Sequence, residues 1–207
     1  MLVNTQPQLF QRRFAEATGI EEPIEWLSPL KQDEYAEYYD TAFLERIGLT
    51  TLAASLEEFW PRSGPRWDGL ARTASGHIIL VEAKAHMEEV ISDCAAGGSS
   101  MKKISQRFEE LKIALQIPES RRGVSWLSPY YQFCNRIAHL HFLRSQGIEA
   151  HLVFLHFADA PDVPLPVSVA TWFRFSRHIR KAMALEKHAL SLYDHEMTIS
   201  VHELRRG

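Results

Sequence analysis

The stretch His77-Ile-Ile-Leu-Val-Glu-Ala-Lys84 is the most informative part of the chain. Its first half is apolar at consecutive positions, which is typical of a strand buried between two layers rather than one with a side open to solvent. It ends in Glu82 and Lys84, which share one side of a strand because side chains alternate. The stretch therefore predicts a buried strand of an α/β domain that ends in two charged side chains.

The preceding residues form a predicted hairpin with this strand. Residues 74–76, Ala-Ser-Gly, fit a three-residue hairpin loop with glycine at the position that takes a left-handed conformation. If Thr73 faces His77, Asp68 lies directly across from Glu82, on the same face, with Cβ atoms about 4.5–5.5 Å apart. A slip of one residue in this register would turn Asp68 to the opposite face.

Two opposed carboxylates repel each other, and a buried charge costs several kcal/mol unless it is paired or coordinated. One compensation is Mg²⁺, which takes one or two carboxylates together with waters and phosphate oxygens. The other is an ion pair between Lys84 and one carboxylate at a solvated strand end. The residues alone leave both open.

Asp68, followed across a hairpin by Glu82-Ala83-Lys84 at the end of an apolar strand, resembles the motif of the PD-(D/E)xK superfamily, the restriction-endonuclease-like nucleases. The proline is displaced in this chain, because two residues separate Pro65 from Asp68. The resemblance implies a divalent-metal-dependent nuclease that hydrolyses phosphodiester bonds, with DNA the expected substrate. It implies that Asp68, Glu82 and the carbonyl of Ala83 hold Mg²⁺, or Mn²⁺ as a substitute, and that Lys84 orients or deprotonates the attacking water.

The fold implied by the resemblance is a three-layer α/β core with a central mixed sheet flanked by helices. Its order is helix, strand, strand with the aspartate, strand with Glu-x-Lys, helix and strand. Residues 33–157 are compatible with that order, except that the first strand has no clear segment of its own. We expect one domain over 1–207, with a C-terminal appendage over 167–207 that contains a helix over about 167–188 and a strand over 197–204.

A predicted amphipathic helix over 33–47 ends at Gly48. In many members of the superfamily the first helix supplies a glutamate about three turns before such a glycine, and the resemblance implies Glu37 as a further metal ligand. Glu34 and Glu45 lie on neighbouring faces and are alternatives. A solvated acidic helix explains the same residues without any metal.

A long helix is predicted to start with Ser128 as N-cap and Pro129 at N1, and to end before Gly147. It carries a polar stripe at helical spacing, formed by Gln132, Asn135, Arg136 and His139. Some superfamily members face the metal site with a glutamine near a tyrosine on this helix, so the resemblance implies a catalytic role for Gln132 and Tyr131. The alternative is an ordinary solvent-facing stripe.

The net charge of −3 is unevenly distributed. Residues 1–60 hold 11 acidic and 4 basic residues, whereas 61–207 hold 15 acidic and 19 basic ones. Arg174, Arg177 and Lys181 form a basic helical face suited to phosphate contacts, or simply a solvated face. The acidic first third suggests a protein partner or a homodimer, and a nuclease-like module without activity, used for binding or regulation, is the alternative function. His86, two residues after Lys84, either contacts substrate or begins a loop.

Composition excludes several other classes of protein. No apolar run approaches the roughly 18 residues that a membrane span requires, and no secretory signal is recognisable. The two cysteines, Cys94 and Cys134, do not form a C-x-x-C pair, so a disulfide framework is not expected. We expect a cytoplasmic protein without a membrane partner.

Overall fold

The computed structural model describes residues 2–161 and 165–204, and their centre is one five-stranded mixed sheet in the order β1-β2-β3-β4-β5. Its strands are β1 (Ile24–Ser28), β2 (Gly69–Thr73), β3 (Ile78–Lys84), β4 (Ala150–Ala158) and β5 (Asp194–Ser200). The pairs β1–β2 and β2–β3 are antiparallel, and the pairs β3–β4 and β4–β5 are parallel. Only β2 therefore runs against the others.

Helices cover both faces of this sheet. The α-helices of the described residues are α1 (Leu2–Thr5), α2 (Pro7–Thr18), α3 (Asp40–Arg46), α4 (Ala53–Phe59), α5 (Gly98–Ala114), α6 (Tyr131–Ser145), α7 (Val169–Ala182) and α8 (Val201–Leu204). Phe10 and Phe14 of α2 pack against Ile79 and Val81 on one face. The larger core lies on the other face, where α3 to α7 pack against the alternate residues of the strands. The predicted α/β architecture, a mixed sheet flanked by helices, is confirmed at this level.

The hairpin between β2 and β3 has the predicted register. Gly69 pairs with Val81 and Arg72 with Ile78, and the N–H of Thr73 donates to the carbonyl of His77 at 2.9 Å. The loop glycine at position 76 has a φ of 94°, a conformation that glycine adopts without steric cost. The register therefore carries Asp68 to the position opposite Glu82.

The helix predicted over 33–47 is wrong in its first half. The residues at 34 and 35 have left-handed φ angles of 56° and 60°, and α3 begins only at Asp40. The N–H of Trp67 donates to the carbonyl of Tyr38 at 3.1 Å, so this segment makes an antiparallel bridge instead of a helical turn. The missing first strand is β1, which precedes this region and pairs with β2.

Three further boundaries differ from the predicted ones. α6 begins at Tyr131 rather than at Pro129, and α7 ends at Ala182 rather than near residue 188. The strand predicted over 197–204 lies at Asp194–Ser200, and a short helix follows it. β5 pairs with β4 along its whole length, so the C-terminal segment completes the central sheet. No helix in the described ranges is long and apolar enough to cross a membrane.

Candidate functional site

The acidic pair, Asp68 and Glu82, lies at one edge of the sheet. β1, β3, β4 and β5 all end at this edge, and β2 begins there, because β2 alone runs in the opposite direction. Ile78 and Leu80 belong to the core on the α6 side of the sheet. By strand alternation Glu82 and Lys84 point to the same side. The site therefore lies between the end of β3 and the helical layer that contains α6.

Asp68 is half-buried beside Glu82. Its Oδ2 accepts a hydrogen bond from the backbone N–H of Ala83 at 2.7 Å. Burial, and next the negative charge of Glu82, raise the pKa of Asp68 from 3.8 to about 6, although Lys84 and Arg136 act in the opposite direction. The two carboxylates therefore interact across the hairpin, as the register requires.

Glu82 is only 3% exposed and contacts two cations. Its Oε1 lies 2.7 Å from Nζ of Lys84, and its Oε2 accepts a hydrogen bond from Nε of Arg136 at 2.6 Å. The ion pair expected as one of the two compensations is thus present. The site holds two acidic and two basic side chains, and its charges nearly balance when all four are ionised.

Arg136 is the site residue that the sequence did not single out. Its guanidinium bonds to Glu82, donates through Nη2 to the carbonyl of Arg66 at 3.0 Å and lies over the ring of Trp67 at 5.2 Å. One side chain of α6 therefore joins β3 to the segment directly before β2, which carries Asp68. The available signal was the polar stripe itself: Asn135, Arg136 and His139 are all buried, so the solvent-facing interpretation of that stripe is wrong.

Gln132 and Tyr131 lie one turn before Arg136 on α6. Gln132 donates its backbone N–H to Oγ of Ser92 at 2.9 Å, and its Oε1 is buried without a hydrogen-bond partner. Tyr131 packs edge-on against Phe108, and burial, followed by Cys94, raises the pKa of its hydroxyl. Among the described residues neither side chain hydrogen-bonds to the acidic pair.

In the part of the chain that the structure describes, neither Glu37 nor His86 hydrogen-bonds to Asp68 or Glu82. Glu37 is exposed in the segment before α3 and is outside any helix, so the helical placement that singled it out is wrong. His86 follows β3 and lies 3.3 Å from Glu89 and 3.7 Å from Glu88. It thus belongs to the short helical turn that begins after the strand.

Arg174, Arg177 and Lys181 are exposed on the outer side of α7, as the basic face predicts. They line a surface depression of about 450 Å³. Arg180, which adjoins this face in sequence, points inward and bonds to Asp194 at 2.6 and 2.9 Å and to Glu196 at 2.7 Å. Burial alone would raise the pKa of Asp194, but Arg180 lowers it to about 2. Arg180 therefore attaches α7 to β5 and leaves the other cations for external contacts.

The carboxylates of the site could hold a hard cation such as Mg²⁺ only together with ligands from water or substrate. In the parts of the chain that the structure describes, no three His, Cys, Asp or Glu side chains group in a way that could hold a metal ion. Asp68 and Glu82 supply two carboxylates, the number that Mg²⁺ uses when waters and substrate provide the remaining oxygens. The Oε1 atom of Glu82 is buried and makes no hydrogen bond besides its ion pair with Lys84. Oε2 of Glu82 is held by Arg136, so the two carboxylates fit Mg²⁺ only if Lys84 shares or releases Oε1.

Comparison of the chain with protein-family models, with curated proteins and with solved structures finds no match.

Proposed function

We propose that this protein is a Mg²⁺-dependent nuclease of the PD-(D/E)xK type that hydrolyses phosphodiester bonds in DNA. The observation that carries the proposal is the convergence of three side chains: Asp68 and Glu82 meet across the hairpin, and Lys84 touches Glu82 on the same face. Two carboxylates beside a lysine, at the carboxyl ends of the strands, are groups that can support metal-assisted hydrolysis of a phosphodiester.

The order of elements supports the proposal. α2, β1, β2, β3, α6 and β4 reproduce the helix, three strands, helix and strand of the superfamily core, with further helices inserted. In this alignment the first helix is α2, not the segment over 33–47. Because α2 packs on the sheet face opposite Glu82, we assign no metal ligand to it.

The residues divide the work as follows in the proposed reaction. Asp68, Glu82 and the carbonyl of Ala83 would hold Mg²⁺, and the bound cation would supply a more acidic water and a positive charge beside the phosphate. Lys84 orients or deprotonates the attacking water and stabilises the phosphate in the transition state. Arg136 keeps one oxygen of Glu82 fixed, so the other oxygen stays on the side of Lys84 and Asp68. Arg174, Arg177 and Lys181 contact the phosphate backbone of the duplex.

Thermal melting during a metal titration tests the metal site. A cation that binds only the folded protein stabilises it by about 2.7 kcal/mol at 100 times its Kd, which for a domain of this size raises the Tm by about 5–10 °C. We expect this shift with Mn²⁺ and Mg²⁺ in the wild type and its loss in Glu82→Gln. The matched control is Glu196→Gln, at a half-buried carboxylate on β5 paired with Arg180, which should keep the shift. A wild type whose Tm does not respond to either metal would contradict the proposal.

A second function, a nuclease-like module that binds nucleic acid without cleaving it, is favoured by one observation. Lys84 and Arg136 already neutralise Glu82 without a metal. This function predicts duplex binding through α7 together with no metal response in the melting experiment. The nuclease proposal predicts both duplex binding and a rise in Tm with metal.

A further inference from the structure

The helix α7 has four lysine and arginine side chains and neither an aspartate nor a glutamate. Arg180 is neutralised by carboxylates of β5. In the described parts of the chain, none of the other three, Arg174, Arg177 and Lys181, pairs with a carboxylate. Glu186 borders the same surface depression, but it is already paired with Arg121 at 2.7 Å. The outer face of α7 therefore carries positive charge that attracts a polyanion.

Phe173 lies among these cations on the outer face of α7. Its side chain is 62% exposed, which makes it the most exposed aromatic ring among the described residues. The guanidinium of Arg177 lies over the ring, 5.7 Å from its centre, and no other aromatic ring in the described part of the chain packs against it. One face of the ring is therefore open to solvent, beside side chains that are free to bind phosphate.

The start of α7 is connected to the acidic site through β4. Lys84 pairs with His156 in the register of β3 and β4, and the ring of Trp172 stacks on His156 at a centroid distance of 4.3 Å. Phe173 follows Trp172 in the sequence and points outward, whereas Trp172 is fully buried. A ligand on Phe173 thus lies on the helix that packs against the neighbour of Lys84.

We propose that the outer face of α7 binds an unpaired segment of DNA, with one base stacked on Phe173 and the adjoining phosphates held by Arg177 and Lys181. Aromatic side chains combined with a positively charged surface are how proteins bind single strands without reading their sequence. A duplex stacks its bases on one another and offers only phosphates to this face. The ring therefore adds affinity only where the strand is unpaired.

The inference names the substrate class of the proposed nuclease as DNA that carries an unpaired segment beside the bond to be cleaved. That the strand is DNA, and that it is cleaved, rest on the proposed function. The binding of a single strand by Phe173 and the cations rests on the surface of α7 alone. Binding is therefore measured in excess chelator, where no metal-dependent cleavage occurs.

Fluorescence anisotropy with three labelled probes of equal length tests the surface: oligothymidylate, a strand made only of abasic sites, and a blunt duplex. We expect Phe173→Ala to weaken oligothymidylate binding at least about fivefold, the low end for one base stacked on an aromatic ring, and to leave the other two affinities unchanged. Phe173→Trp should bind oligothymidylate at least as tightly as the wild type does. The matched control is Ile113→Ala, which truncates a side chain of α5 that is 60% exposed and should change nothing.

The salt dependence separates the ring from the cations. Phe173→Ala should not change the slope of log affinity against log salt for oligothymidylate. Arg177→Glu should make this slope shallower, by about 0.7 for each phosphate of a single strand that is no longer neutralised. If melting shows that Phe173→Ala does not fold, Phe173→Leu replaces it, because leucine stays apolar and has no ring.

The inference is overturned if the wild type binds the abasic strand as tightly as oligothymidylate, if Phe173→Ala weakens both equally, or if Phe173→Ala binds like the wild type. Tighter binding of oligouridylate than of oligothymidylate would assign the face to RNA and overturn it as well. The Mn²⁺ melting shift is measured on the same samples and separates the two claims. Base-dependent binding without a metal shift supports the α7 face and contradicts the nuclease. A metal shift without base-dependent binding supports the metal site and overturns the inference.

Discussion

Asp68 accepts a hydrogen bond from Ala83 and still has a pKa raised from 3.8 to about 6. The folded protein therefore binds this proton more tightly than the unfolded chain does. The stabilising effect of the protonated form is complete below pH 4 and is lost as the pH rises through 6. A shift of about two pKa units corresponds to at most about 3 kcal/mol, so the proposed site costs the protein stability at neutral pH.

The first prediction follows from that cost. Asp68→Asn should have a higher free energy of unfolding than the wild type at pH 8, by about 1–3 kcal/mol, and the difference should shrink as the pH falls from 6 to 4. Urea denaturation at several pH values measures it. Glu37→Gln, at an exposed carboxylate, is the control and should change little. A loss of stability in Asp68→Asn at pH 8 would show that the carboxylate is well compensated.

Arg136 gives the opposite expectation. Arg136→Gln leaves Glu82 buried with Lys84 as its only cation, and breaking a buried ion pair in this way costs about 3–5 kcal/mol. The double variant with Glu82→Gln removes the uncompensated charge and should recover part of the loss. Urea denaturation of the single and double variants checks this. If the single variant Arg136→Gln and the double variant are equally stable, Arg136 stabilises the protein through its contacts with Trp67 and Arg66 alone.

The strands β3 and β4 were predictable because both are continuous apolar runs. The hairpin register was predictable because one glycine fixed the loop. The helix over 33–47 was not, although Tyr35, Tyr39, Phe43 and Ile47 have helical spacing. Only the last two lie buried on α3 or directly after it. A distant partner decides the rest, because the antiparallel bridge between Tyr38 and Trp67 keeps the chain at Tyr38 out of a helix.

α7 carries the next prediction. If its outer face follows a phosphate backbone, Arg177→Glu should weaken duplex binding and make the slope of log affinity against log salt shallower, by about 0.9 for each phosphate that the variant no longer neutralises. Base preference should not change, because phosphate contacts carry no sequence information. Arg12→Glu makes the same change of charge on α2, on the other side of the sheet, and is the control. Fluorescence anisotropy with a labelled duplex measures both, and equal affinities would identify the α7 face as merely solvated.

Contacts between distant parts of the chain decide the features of the fold that the sequence did not predict. Gln6 donates to the carbonyl of Leu204, and Arg13 pairs with Glu203, so the N-terminal helices pack against the last helix. Such contacts leave no local pattern. β5 was shifted in the prediction because its inner face begins with Asp194 and Glu196, whose charges Arg180 compensates from another element.

Part of the candidate site could be predicted from the sequence and part could not. Asp68, Glu82 and Lys84 lie on one hairpin, so their arrangement follows from turn chemistry and strand alternation. The place of Arg136 depends on how α6 packs on the sheet, which the sequence does not encode locally. The acidic first third as a surface for a protein partner or a second copy stays a prediction.

Cleavage of a labelled DNA duplex tests the proposed nuclease activity, with the wild type, Lys84→Met and Glu196→Gln compared in Mg²⁺ and in excess chelator. The proposal predicts cleavage by the wild type and by Glu196→Gln in Mg²⁺ only. It predicts a loss of at least about 100-fold in Lys84→Met, the lower range for removing a group that transfers a proton, while melting shows that this variant is folded. Wild-type protein that leaves the duplex intact in Mg²⁺, or Lys84→Met that cleaves at the wild-type rate, would contradict it.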